Sequence, residues 1–127
     1  MLFKTEEIRT QFYKSPSLLR AIALDIERLS KMFGIDPMIT RVTDPVEGES
    51  GVHLDHRAVD FRVEYSDDKG EIKRLYTVNQ ATAIEDFINR LYPRRDGFKT
   101  AIVHPSKEGL SHIHCQIYDR VKTGMET

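Results

Sequence analysis

Apolar residues recur at helical spacing from 17 to 33: Leu18, Leu19, Ile22, Ala23, Ile26, Leu29 and Phe33. Ser15-Pro16 before this run reads as a Ser N-cap with Pro at the first helical position, and Gly34 after it as the stop. The first dozen residues carry a fainter helical pattern. Asp36-Pro37 then breaks the chain ahead of a short strand over 38–42, followed by a polar loop over 43–52. Strict alternation places Val59, Phe61, Val63 and Tyr65 on one face of a strand and Asp60, Arg62 and Glu64 on the other. Asp67-Asp68-Lys69-Gly70 makes a hairpin turn, with a returning strand over 71–78. Asn79 is the expected cap of another helix that turns Ala83, Ile84, Phe87, Ile88 and Leu91 inward and ends at Pro93. A turn at Arg94-Arg95-Asp96-Gly97, a strand over 99–104, a turn over 105–109 and a strand over 112–118 complete the chain. The order α, β, β, β, α, β, β predicts an α+β fold, with helices packed on a small, mainly antiparallel sheet.

At 127 residues with 39% apolar and 31% charged composition, the sequence predicts one globular domain spanning 1–127. Nineteen basic against twenty acidic residues give a formal charge of −1, which argues against a general nucleic-acid binder. No run is long enough for a membrane span. The acidic start, Met1-Leu2-Phe3-Lys4-Thr5-Glu6-Glu7, differs from a signal peptide and implies cytoplasmic synthesis. Cys115, the lone cysteine, is expected in the core as a small hydrophobe.

Chemistry concentrates in the histidines. Period two on the last strand puts His112, His114 and Gln116 on the face opposite Ile113, Cys115 and Ile117, so two imidazoles stand off the core about 6.6 Å apart at their Cα atoms. His53 lies at the mouth of a Gly-containing loop and Asp60 at the start of a strand, on its non-core face. The connecting segment lets an imidazole and a carboxylate approach one centre. Two His and one carboxylate with a place left for water form a catalytic zinc set. Read singly, each cluster is a set of polar strand and loop residues; only the two together point to a metal site.

His53-x-x-x-x-Ala58-x-Asp60 followed by His112-x-His114 resembles the zinc D-Ala-D-Ala carboxypeptidase and phage L-alanoyl-D-glutamate endopeptidase family, with its Ser-x-His-x-x-Gly-x-Ala-x-Asp motif and a later strand His. The resemblance extends over most of the chain and implies a hedgehog/DD-peptidase type fold. Carried over residue by residue, it makes His53, Asp60 and His114 the Zn²⁺ ligands, His112 the auxiliary His beside the last ligand, and Arg41 the substrate-anchoring arginine. The sequence departs from the pattern at Gly51 for Ser, at His56 for Gly, and at Ser111, where many members carry a catalytic Glu.

With Ser111 in that place, proton transfer falls to His112 as relay and Glu108 as base, reaching in from the turn over 105–109. Arg41 suits a substrate carboxylate, and His56 is a candidate substrate contact. His104 is assigned no part in the chemistry. The resemblance implies a zinc metallopeptidase cutting peptidoglycan stem or cross-link peptides, a phage or prophage lysis type of enzyme acting at the cell wall after release. A second reading takes His53, Asp55 and His114 as the iron(II) triad of an oxygenase, for whose usual jelly-roll barrel the chain is short. A third is a non-catalytic zinc-binding structural or virion domain.

Overall fold

The computed structural model describes residues 1–42, 57–104 and 110–117. They form β1 (Leu2–Phe3), α1 (Glu6–Tyr13), α2 (Ser17–Met32), β2 (Met38–Arg41), β3 (Ala58–Arg62), β4 (Glu64–Ser66), β5 (Ile72–Arg74), α3 (Val78–Leu91), β6 (Ala101–His104) and β7 (His112–Gln116). This is an α+β fold on a mixed five-stranded sheet of order β1-β2-β3-β7-β6, with β4 and β5 as a separate hairpin. Within the large sheet β1 runs parallel to β2, and every other pairing is antiparallel. No helix among the described residues is long and apolar enough to cross a membrane.

The helices form for local reasons that differ in part from expectation. Thr5 caps α1 by accepting the Ile8 N–H, with Glu6 and Glu7 in the first turn where the helix dipole favours acids. On α2, Leu19, Ile22, Ala23 and Ile26 are fully buried, whereas Leu18 and Phe33 stay on the exposed rim of the stripe. Ser15 does not cap this helix: Pro16 occupies the N-cap, and the Ser15 hydroxyl donates back to the Phe12 carbonyl. Gly34 does end it. At φ +75 it lets Ile35 N–H reach the Ser30 carbonyl and Gly34 N–H the Lys31 carbonyl, closing the helix end.

The cap of α3 is Thr77, not Asn79. Thr77 Oγ1 accepts the Gln80 N–H at 3.0 Å while Gln80 Oε1 accepts the Thr77 N–H at 2.9 Å, a reciprocal capping box. The buried stripe is Ala81, Ile84 and Ile88 at i, i+3, i+7 spacing, and Ala83, Phe87 and Leu91 are exposed, contrary to expectation. The inner side of α3 also closes the free edge of β6. Asn89 brackets Ala101, donating to its carbonyl and accepting its N–H, and Glu85 accepts the Val103 N–H at 2.7 Å. Residues four apart on a helix thereby serve residues two apart on a strand, and an open sheet edge is covered.

Two strands are shorter than their hydrophobic pattern. The run from 59 to 65 breaks at Val63, where the N–H groups of Val63 and Glu64 both bond the Ser111 carbonyl, so Glu64–Ser66 leaves the large sheet and pairs with Ile72–Arg74. The returning segment ends as strand at Arg74, and residues 78 onward are helix. The Arg94 side chain, expected in an exposed turn, is largely buried and paired with Asp96.

One face of the sheet carries the core: Ile39, Val59, Phe61, Ala101, Ile113 and Cys115 pack under α2 and α3. Across it, buried Ser30 and Tyr76 hydroxyls meet at 2.7 Å, and burial raises the Tyr76 phenol to about 12. Replacing Thr77 by Ala should cost about 1 kcal/mol of stability, whereas Asn79→Ala should be near neutral. Thermal melts of the two variants check where the helix begins.

Candidate metal and catalytic site

The non-core face of β3 and β7 holds the site, and strand register builds it. Phe61 pairs with Ile113 and Val59 with Cys115 on the core side, so Asp60 pairs with His114 and Arg62 with His112 on the other. Cross-strand partners in an antiparallel pair share a face. His114 Nδ1 lies 2.8 Å from Asp60 Oδ1, and its Nε2 lies 3.0 Å from Gln116 Oε1. His112 Nε2 stands 4.0 Å from Asp60 Oδ2. The face is less open than the alternation implies, with Asp60 and His114 only 5% and 9% exposed.

A bulge adds Arg41. Ile39 pairs with Phe61 on the core side, and regular alternation would set Arg41 opposite Val59, also on the core side. The register instead shifts between Ile39 and Arg41, so Arg41 stands opposite Asp60 and Val42 is buried in the core. The Thr40 hydroxyl donates to the Asp60 carbonyl at this irregularity. Apolar spacing of three, Ile39 to Val42, is the sequence signal for the bulge.

Sequence reasoning missed His104. It pairs with His112 across β6 and β7, its ring centroid 5.2 Å from that of His112 and 5.5 Å from that of His114. With Ala101 buried and Val103 packed against the core, period two already turns His104 to the histidine face. Among the described residues the cluster therefore has three imidazoles and one carboxylate.

The charges explain the titration. Burial pulls His114 down, but the hydrogen bond and charge of Asp60, helped by Gln116, outweigh it and hold the imidazole above its ordinary value. His104 goes the other way, pushed down by burial and then by the neighbouring charges of His114 and His112. Burial also drives the Cys115 thiol far up, as befits an inert core residue.

Beside the cluster lies a cleft of about 570 Å³ whose walls include Lys4, Arg41, Asp60, Arg62, Tyr65 and His112. Of the residues expected to act, Arg41, Asp60, His112 and His114 are thus gathered here. His53, Asp55, His56 and Glu108 lie outside the described residues. Among the described residues no three His, Cys, Asp or Glu side chains are arranged to hold a metal ion. Comparison with protein-family models, with curated proteins and with solved structures finds no match for this chain.

The raised His114 sets a pH dependence for the metal-free protein. The Asp60–His114 pair contributes fully below the unfolded histidine pKa of about 6.5 and less as pH rises through the raised folded value. The stability advantage of wild type over His114→Gln should accordingly shrink as pH rises above about 6.5. Chemical denaturation in a chelator checks this; a gap that widens over that range contradicts it.

Proposed function

We propose that this chain is a zinc-dependent metallopeptidase that hydrolyses amide bonds in peptidoglycan stem or cross-link peptides, of the phage or prophage lysis type. The observation that carries the reading is the meeting of Asp60 and His114 at 2.8 Å on the wall of a cleft that also presents Arg41 and His112. A carboxylate oxygen and an imidazole nitrogen held this close can bind one ion, since zinc–ligand bonds of about 2.0–2.2 Å put neighbouring donors roughly 3.3 Å apart. Gln116 supports the fit. With a metal bound in place of the Asp60–His114 hydrogen bond, Gln116 Oε1 would accept the Nε2–H of His114, leaving the Nδ1 lone pair for the ion. His53 would complete the set.

Bound there, zinc would supply an acidified water and a polarised amide carbonyl. The remaining work belongs to the protein. His112, on the cleft wall, takes the proton of the attacking water at Nε2 and returns it to the leaving nitrogen. His104, its pKa pushed down by burial, packs its ring against that of His112. Arg41 holds a substrate carboxylate in a planar, two-pronged contact. Glu108 as base and His56 as a substrate contact belong to the same proposal.

The oxygenase triad needs Asp55 beside His114; among the described residues Asp60 is the carboxylate that touches it. Elemental analysis should find a stoichiometric zinc, lost in Asp60→Ala, His114→Ala and His53→Ala but kept in Asp55→Ala. Mass spectrometry of digested muropeptides should show amide cleavage that falls ~10²–10⁴-fold in His112→Gln with zinc retained. Zinc-loaded, folded protein that leaves muropeptides intact, and only melts lower on metal removal, would point to a structural domain.

A further inference from the structure

Strand pairing sets a second pair of imidazoles in chelating position, apart from the Asp60–His114 bond. His104 on β6 and His112 on β7 are direct cross-strand partners, so both rings stand on the non-core face. Their centroids lie 5.2 Å apart, with the ring planes tilted by 41°. A tetrahedral zinc about 2.0–2.1 Å from one nitrogen of each of two imidazoles holds the ring centres about 5.1–5.3 Å apart, since each centre lies roughly 1.1 Å behind its nitrogen. The observed spacing matches that of two imidazoles on one ion.

Hydrogen bonding decides which rings are available. Both nitrogens of His114 are taken, Nδ1 by Asp60 and Nε2 by Gln116. On His112, Nδ1 lies 3.4 Å from the Leu110 carbonyl, which only accepts, so Nδ1 carries the hydrogen and Nε2 keeps a lone pair. That nitrogen stands 4.0 Å from Asp60 Oδ2, too far to share a hydrogen, beside a negative charge that favours a cation. The His112 side chain is 32% exposed, so an ion reaches it from solvent. On the other strand, Asn89 and Glu85 of α3 hold the β6 backbone at Ala101 and Val103, which orders the strand that carries His104. Ligands ordered in advance lose little freedom on binding. Imidazoles suit zinc rather than magnesium or calcium. Two of them, with solvent completing the shell, hold it less tightly than three protein ligands do.

We propose that His104 and His112 form a second, weaker zinc site, and that filling it takes His112 out of proton transfer, so that excess zinc inhibits the protein. The inhibition rests on the reading of His112 as proton relay; the site itself does not. Zinc on Nε2 occupies the lone pair that would take the proton of the attacking water. The free zinc level thereby acts on turnover through His104, on a strand that carries no ligand of the first site.

The test titrates zinc into the metal-free full chain by isothermal calorimetry and follows muropeptide hydrolysis over the same zinc range. Wild type should show two classes of zinc, a tight one that survives dialysis and a weaker one that does not. His104→Gln should weaken the second class alone by about 10²-fold, as expected when chelation by two linked groups is lost. His104→Phe keeps a ring packed on His112 without a donor and should do the same, which preserves the test if His104→Gln folds poorly. Nitrogen NMR of the histidine rings should show the second equivalent shifting Nε2 of His112. Hydrolysis should fall as the second class fills. Each His104 variant, scaled to its own rate at one equivalent, should need about 10²-fold more zinc for the same fall. Magnesium added to the one-zinc protein should bind and inhibit in neither form. A single class of zinc, or a second class unchanged in both variants, overturns the site. A His104-dependent second class that leaves hydrolysis unaffected overturns the inhibition. Absence of the tight class or of any cleavage, with His104-dependent binding retained, rejects the peptidase reading and leaves the second site standing.

Discussion

The register between β3 and β7 is the constraint on which the site depends. Phe61 opposite Ile113 and Val59 opposite Cys115 are all fully buried, and a slip of one residue would turn each strand's apolar side to the wrong face. Burying a Val, Ile or Phe side chain stabilises by about 1.5–3 kcal/mol, so the core strongly disfavours any other pairing. The opposite face inherits the consequence. Asp60 and His114 meet because the core fixes the strands that carry them. Their removal from water is costly, and the 2.8 Å bond between them offsets part of that cost in the absence of a metal.

Two further devices extend this face beyond the central pair. The irregularity in β2 changes the phase of alternation between Ile39 and Arg41, sending Val42 into the core and Arg41 opposite Asp60. At the far edge, Asn89 and Glu85 of α3 hold the backbone of β6, which keeps His104 opposite His112. A helix that packs on the core face thus steadies a histidine on the other. The same helix buries Ala81, Ile84 and Ile88 and presents Ala83, Phe87 and Leu91 outward.

Periodicity made the α+β class, the long second helix with its Gly34 stop, and the facing of His112 and His114 legible in the sequence. Those features follow from local rules: a helical stripe, a left-handed glycine, a strand period of two. What was not legible depended on competition between neighbours. Ser15 and Asn79 both resemble caps, but Ser15 bonds backward to Phe12 and Thr77 outcompetes Asn79 through its exchange with Gln80. The break at Val63 depends on the Ser111 carbonyl, a partner nearly fifty residues away in sequence and adjacent only in the folded sheet. For the site, alternation gave the sides of Asp60, His112 and His114 but not their burial. Arg41 needed the bulge and His104 needed its pairing to β7. His53, His56 and Glu108 fall outside the described residues, so their places in the site rest on the resemblance and the chemistry argued from it.

The central claim is that Asp60 and His114 come together to share a divalent cation rather than only to bond each other. The most direct measurement is a crystal structure of the zinc-soaked full chain with diffraction recorded on both sides of the zinc absorption edge. A single anomalous peak within about 2.0–2.2 Å of Asp60 and of His114 Nδ1, with His53 as a third donor, is the expected result. At saturating zinc, an intact Asp60–His114 hydrogen bond with the anomalous peak elsewhere or missing would contradict it.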